Sequence, residues 1–222
     1  MASSERYDML TLEQFEVWAK RIGVLGVLGE GLMALHGVSH AWRRPKGHIV
    51  GRAYERLSLP MYLGMALVDL VGLGALILLW RPIPLRLPRP LRAVVLVLGS
   101  VLYIVGFGSV FWGRVALGEM YNVSTEVGAE LYAHHRLVTS GPFALVRHPM
   151  YLGVVVQFLG GVLLYRMWSV VLLLAAEIVT NLGRARREEQ ALAAKFGQEW
   201  QAYARRVSPG LPFVADHTEP SS

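Results

Sequence analysis

The sequence predicts an all-α, polytopic membrane protein with about five transmembrane helices, the last two forming a helical hairpin. Two observations lead there. Of the 222 residues, 54% are hydrophobic and only 17% charged, with a mean hydropathy of +0.40, too apolar for an ordinary soluble domain of this length. Three stretches, 22–41, 61–80 and 93–113, also reach the roughly 20 residues that a helix needs to cross about 30 Å of hydrocarbon.

In chain order, residues 1–21 read as an N-terminal interfacial segment. Thr11 and Gln14 form a potential capping box, and Leu12, Phe15, Trp18 and Ile22 recur at helical spacing. The first apolar run starts late and carries no secretory cleavage pattern. Residues 22–113 hold the three spans. Between the second and third lies RPIPLRLPRPLR, 81–92, whose four prolines favour a stiff, extended connector. Residues 150–183 are long enough to enter the bilayer and return, and Tyr165-Arg166 splits them into a tight hairpin with a short first arm. Trp42, Trp80, Trp112 and Trp168 fall where the helices should meet the headgroups. Residues 215–222 read as a disordered tail.

Orientation follows from the basic residues, which collect on the cytoplasmic side. Loops 42–60 and 114–148 and the tail from Arg184 carry 14 of the 22 Lys and Arg, against 8 on the other side. A cytoplasmic C-terminus and an outer N-terminus are expected. The net charge of +6 belongs to these loops, and no nucleic-acid motif accompanies it. Zero cysteines exclude disulfides, thiolate catalysis and Cys-ligated metal. No internal repeat stands out.

Polar residues within spans are costly in lipid and face protein, water or ligand. Glu30, His36, His40 and Asp69 are such residues, and interhelical hydrogen bonding accounts for them. His36 and His40 share a face at metal-ligand spacing, but no third ligand accompanies them, and no metal site is read. In the last span Glu177, Asn181, Arg184 and Glu188 are separated by four, three and four residues, which places them on one stripe. The stripe emerges into the charged run RARREEQ, where a solvated helix end accounts for Arg186, Arg187 and Glu189.

The stretch LVTSGPFALVRHPMYLG, 137–153, interrupts the oily sequence with prolines, glycines, an Arg-His pair and a tyrosine. Pro149 suits the first position of a helix, and Ser140-Gly141-Pro142 makes a turn that brings His135 and Leu137 back towards that helix start. An interfacial loop with an anchoring tyrosine explains the composition equally well.

HRLVTSGPFALVRHPMYLG, followed across the hairpin by EEQALAAKFGQEWQAYARRVSPGLPF, resembles the isoprenylcysteine carboxyl methyltransferase family of integral membrane enzymes. The resemblance covers about 117–214. The resemblance implies a methyltransferase catalytic region, 114–214, facing the cytoplasm, with S-adenosyl-L-methionine as cofactor. It implies that His135, Leu137, Val138, Gly141, Phe143, His148, Pro149, Tyr151 and Glu188 hold the cofactor. Arg184 maps to the arginine that contacts the methyl acceptor, and Asn181, on the same stripe, joins it as an acceptor residue. The resemblance thus implies Arg184 and Glu188 as the catalytic residues. Phe143 departs from the family, where tyrosine is usual.

The chemistry implied needs neither metal nor covalent intermediate. A sulfonium donor is attracted by Glu188 and by aromatic faces. A carboxylate acceptor is already ionised near pH 7, and Arg184 can hold it bidentately. The implied partner is a lipid-like acceptor entering from the bilayer, most readily an isoprenylcysteine carboxylate. The implied location is the plasma membrane of a prokaryote or the endoplasmic reticulum of a eukaryote. Two alternatives stay open: an NADPH-dependent lipid or sterol reductase of the same superfamily, which usually reads HPNY where this chain has HPMY, and a membrane transport protein using the polar residues of the first spans.

Overall fold

The computed structural model describes residues 11–26, 28–29, 32, 46–50, 67, 70–72, 74–121, 129–132 and 134–211. In chain order these include helix α1 (11–26), strand β1 (Lys46–Val50), helix α2 (74–78), helix α3 (Arg89–Leu117), strand β2 (Ala129–Tyr132), and helices α4 (Pro149–Tyr165), α5 (Trp168–Phe196) and α6 (Gln198–Ala204). Glu30, His36, His40, Trp42, Asp69 and the 215–222 tail lie outside the described residues.

Helix α3 is longer than the expected span at both ends. Pro88 and Pro90 lie at its start, where missing N–H groups cost nothing, so the proline-rich connector yields to helix at Arg89. Together with the 3-10 turn after it, Arg89–Met120 is long and apolar enough to cross a membrane, as is Trp168–Phe196; α4 is a shorter apolar helix. At 17 residues, α4 is about 25 Å long, short of a full hydrocarbon core. The hairpin splits at the expected place. Arg166 closes α4 in the left-handed conformation, and Met167 is extended before α5 begins.

Packing of α3 on α4 organises the core. The buried positions of α3 are 96, 99, 103, 106, 110 and 113, alternating steps of three and four that mark one helix face. Glycine recurs on that face every seven residues: Gly99 meets Gly160 of α4, Gly106 meets Gly153, and Gly113 faces the Met150 side chain. A Cβ on Gly106 would sit 2.5 Å from both the Gly153 carbonyl and the Gln157 amide nitrogen. The helix backbones therefore approach as small-residue membrane interfaces do. The opposite face of α3 leaves Val94, Val97, Val101, Ile104 and Val105 exposed, suited to lipid tails.

Helix α1 runs through residues 21 and 22 without a break, so the interfacial segment and the start of the first span are one helix. Leu12 and Ala19 pack against the Leu96, Tyr103 and Leu164 core, whereas Phe15, Trp18 and Ile22 are exposed. Tyr103 Oη donates to the Gly23 carbonyl and Tyr165 Oη to that of Lys20, each at 2.6 Å. Glu16, unremarked in the sequence, accepts hydrogen bonds from Lys20, Arg92 and Arg166. It pins α1 to the start of α3 and to the α4–α5 turn.

One short ribbon accompanies the helices of this otherwise helical chain. Strands β1 and β2 form an antiparallel ribbon pairing Lys46 with Tyr132, Ile49 with Glu130 and Val50 with Ala129, and the ribbon packs against α5. The pairing joins segments some 80 residues apart in sequence, so no local periodicity announces it. It brings parts of loops 42–60 and 114–148 together at one end of the helices.

Candidate functional site

The site forms where the far end of α3, the start of α4 and the emergent part of α5 meet. Residue 140 is extended, Gly141 takes a left-handed φ of 63°, and Gly141–Ala144 makes a 3-10 turn that delivers the chain to Pro149. A Cβ already fits loosely at Gly141, 3.5 Å from Ala116 and 3.6 Å from the Trp112 indole nitrogen; the positive φ is what favours glycine there. Pro149 begins α4, and its carbonyl accepts a 2.9 Å hydrogen bond from Ser109 Oγ of α3.

Arg147 anchors the turn. Its Nε donates to Glu189 Oε1 at 2.8 Å, and its Nη1 donates to the carbonyls of Ala204 (2.7 Å) and Val207 (2.9 Å). Its backbone N–H donates to the Ser208 carbonyl at 2.8 Å. The guanidinium carbon lies 6.0 Å from the centre of the Trp200 ring. His148 Nε2 is 3.0 Å from the same Glu189 oxygen. The solvated helix end expected for Glu189 is thereby overturned: its side chain is 1% exposed and paired, because the 198–208 segment folds back over it.

The two adjacent glutamates therefore face different partners. Glu188 Oε1 accepts a 2.5 Å hydrogen bond from Tyr151 Oη, and its Oε2 lies 4.0 Å from His148 Nδ1. The His148 and Tyr151 rings stack with centroids 5.7 Å apart. Glu188 lines a cavity of about 120 Å³ with Phe143, His148, Pro149, Tyr151 and Arg184, six residues singled out in the sequence. Leu117, Tyr121, Arg147 and Met150 complete the lining.

Tyr121 had no local motif to mark it. It sits just beyond the 3-10 turn that ends α3, with the Arg114 guanidinium carbon 4.0 Å from its ring centre. Burial raises the Tyr121 hydroxyl above its ordinary pKa, opposed by the charge of Arg114 and reinforced by that of Glu188.

The other expected residues lie elsewhere. His135 tilts against Phe196 with centroids 6.3 Å apart; burial, then the neighbouring Lys195 and His134, lower its pKa to about 4. Leu137 packs on the Trp200, Tyr203 and Ala204 cluster, Val138 is half-buried, and neither they nor Gly141 line the cavity. Tyr203 Oη donates to the Phe143 carbonyl at 2.7 Å and so holds the segment that carries them. Asn181 is buried, and its amide donates to Glu177 Oε2 at 3.3 Å. The stripe on α5 thus has an inner pair bonded to each other and an outer pair, Arg184 and Glu188, at the cavity.

Comparison with known proteins bears on residues 94–199, which match the family model described as phospholipid methyltransferase. Over 84 residues the chain is 34% identical to protein-S-isoprenylcysteine O-methyltransferase B of Arabidopsis thaliana, covering 36% of this chain and 42% of that protein. It is 33% identical over 113 residues to protein-S-isoprenylcysteine O-methyltransferase of Schizosaccharomyces pombe, covering 46% of this chain and 48% of that one. The chain thus spans about half the length of the curated relatives it matches. Among solved structures, the eukaryotic intramembrane Ras methyltransferase ICMT aligns with a TM-score of 0.46 and 22% identity, over 72% of this chain and 55% of that one. The matched relatives are methyltransferases, as the sequence resemblance implied.

Proposed function

We propose that this chain is an integral membrane methyltransferase of the isoprenylcysteine carboxyl methyltransferase type, using S-adenosyl-L-methionine to methylate the carboxylate of an isoprenylcysteine or a similar amphiphile. The observation that carries this reading is the convergence of Tyr151 of α4, His148 just before it, and Arg184 and Glu188 of α5 on one cavity at the end of the bundle.

The donor set fits the cofactor. A carboxylate, Glu188, and the rings of Phe143, Tyr121 and Tyr151 suit a cation, and Arg184 suits an anion beside it. A cavity of about 120 Å³ admits the sulfonium end of such a ligand, whereas whole small-molecule sites run to about 300–1,000 Å³. His135, Leu137, Val138 and Gly141, on the segment leading into Phe143, are assigned to the part that lies beyond the cavity.

When bound, S-adenosyl-L-methionine supplies an electrophilic methyl group on a sulfonium sulfur. Tyr151 fixes the Glu188 carboxylate by its hydrogen bond, so a negative charge is held at the cavity wall before any ligand arrives. Arg184 presents a planar two-donor fork to the acceptor carboxylate, which is ionised near neutrality and needs no general base. Catalysis is then mainly alignment of the acceptor oxygen with the methyl carbon and its leaving sulfur. Arg147, paired with Glu189, holds the loop so that His148 and Tyr151 keep their places. We assign the acceptor's tail to the bilayer. The chain is read as multi-pass with about five spans, its site and C-terminus cytoplasmic, in the plasma membrane of a prokaryote or the endoplasmic reticulum of a eukaryote.

Titration of the purified protein with S-adenosylhomocysteine and with NADPH tests this reading. Saturable binding of the former alone is expected. Binding of NADPH alone would replace the methyltransferase with a reductase.

A further inference from the structure

We infer that the end of the helices opposite the cavity holds a site for the phosphate of an anionic lipid headgroup, built from Lys20, Arg92 and Arg166 around Glu16. The site needs only that these helices lie in a bilayer, not that methyl transfer occurs. Arg92 and Leu117 stand at opposite ends of α3, about 37 Å apart along its axis, so the cluster is separate from the cavity.

Three cations from α1, the first turn of α3 and the α4–α5 turn converge on one carboxylate. Glu16 is 6% exposed and is met by Lys20 Nζ at 2.6 Å and by Arg92 and Arg166 Nη2 at 2.5 Å each. One negative charge against three positive ones leaves an excess of two. The cationic side chains remain 22–35% exposed. Each arginine has five N–H donors, of which Arg166 uses one and Arg92 two on Glu16. The wider surroundings have the same sign: residues 11–26, 79–92 and 166–168 contain seven Lys and Arg but two Glu.

Two further observations favour a headgroup. Trp80 and Trp168 are exposed beside the cluster, as tryptophans are at headgroup level. The Trp168 N–H donates to the Arg81 carbonyl, and the Ile83 N–H donates to that of Arg166, which fastens the basic connector there. Arg166 is also the one described non-glycine residue with a positive φ, 51°, at a helix-end position where glycine is favoured. An arginine held there in an unfavourable backbone conformation points to a use for its side chain. A phosphodiester presents the anionic oxygens that arginine forks match, and free phosphate shares that chemistry.

Native mass spectrometry of the full chain in neutral detergent, with phosphatidylglycerol, phosphatidylcholine and inorganic phosphate as probes, tests the site. Phosphatidylglycerol should be retained at least about fivefold over phosphatidylcholine, and Arg92→Gln or Arg166→Gln should each cut its retention by about fivefold. Glu16→Gln, which removes the competing carboxylate, should raise retention. Equal retention of the two lipids overturns the site, as does a Glu16→Gln protein that loses phosphatidylglycerol, the behaviour of a purely structural clamp. Should the arginine variants fail to fold, Lys20→Gln, at the most exposed member, should lower retention with the melting temperature unchanged. Displacement of phosphatidylglycerol by equimolar inorganic phosphate would assign the cluster to the free anion and overturn the lipid.

Discussion

Arg147 and Glu189, forty-two residues apart in sequence, form a 2.8 Å ion pair in which each side chain is 1% exposed. Removing one partner of such a buried pair costs about 3–5 kcal/mol. Arg147→Ala also strips hydrogen bonds from the Ala204 and Val207 carbonyls, so it should lower the melting temperature in detergent sharply. A variant that melts within a degree of the parent would show that the pair does not hold the loop.

The adjacent glutamates should separate cleanly. Glu188→Gln is expected to weaken S-adenosylhomocysteine binding more than tenfold, a loss of at least about 1.4 kcal/mol, at an unchanged melting temperature. Glu189→Gln should first lose stability. His148→Ala should weaken the cofactor analogue as Glu188→Gln does. Calorimetric titration and thermal melts on the three proteins decide this, and unchanged affinity in both the Glu188 and His148 variants would remove the basis of the methyltransferase assignment.

Substitutions at Arg184 should separate the acceptor role proposed for it from cofactor binding. Arg184→Lys keeps the charge but loses the two-donor fork, so methyl transfer should fall strongly while S-adenosylhomocysteine affinity changes little. Acceptor turnover, cofactor affinity and melting temperature should be read together. A parallel loss of all three in Arg184→Ala, with activity preserved in Arg184→Lys, would make the arginine a structural partner instead.

Close helix approach makes Gly106 sensitive to a single methyl group. Gly106→Ala places a Cβ 2.5 Å from backbone atoms of α4, which cannot yield as a side chain can, so α3 and α4 must part. Gly108→Ala, with nothing within 4 Å, is the control. The first should melt well below the parent and the second should not.

Glu16 carries a pH dependence whose sign is determined by its partners. Burial acts to raise its pKa, but hydrogen bonds from Lys20 and Arg92 and the charges of Lys20 and Arg166 prevail and lower it from 4.5 to about 2. A lowered folded-state pKa contributes stability that is complete above the unfolded value and is lost as pH falls from about 4.5 towards 2. The melting-temperature gap between the parent and Glu16→Gln should therefore be widest above pH 5 and narrow on acidification. A gap independent of pH would contradict the ionised cluster.

Much of the site was legible before folding because its signals are local. Pro149 cannot continue a preceding helix but can start one, and the four-three-four spacing of Glu177, Asn181, Arg184 and Glu188 is a property of any α-helix. The hairpin break at Tyr165-Arg166 is likewise local, since the charged side chain interrupts an apolar run long enough for two helices. Leu137 and Asn181 show where such reading stops: both occupy the expected segments, yet one packs on Trp200 and the other bonds to Glu177 rather than facing the cavity.

An apolar chain of helices, the hairpin, the stripe on α5 and the loop that meets it can all be read along the chain, because hydrophobic length and helical period act within a few turns of each residue. It takes the folded chain to show that Glu188 faces the cavity while Glu189 is buried against Arg147, that Tyr121 joins the lining, that β1 pairs with β2, and that Glu16 gathers three cations. Adjacent residues on a helix point about 100° apart, so which of two neighbouring carboxylates meets a ligand depends on what packs against each side. Those partners lie 37 to 42 residues away, where local periodicity carries no information about them.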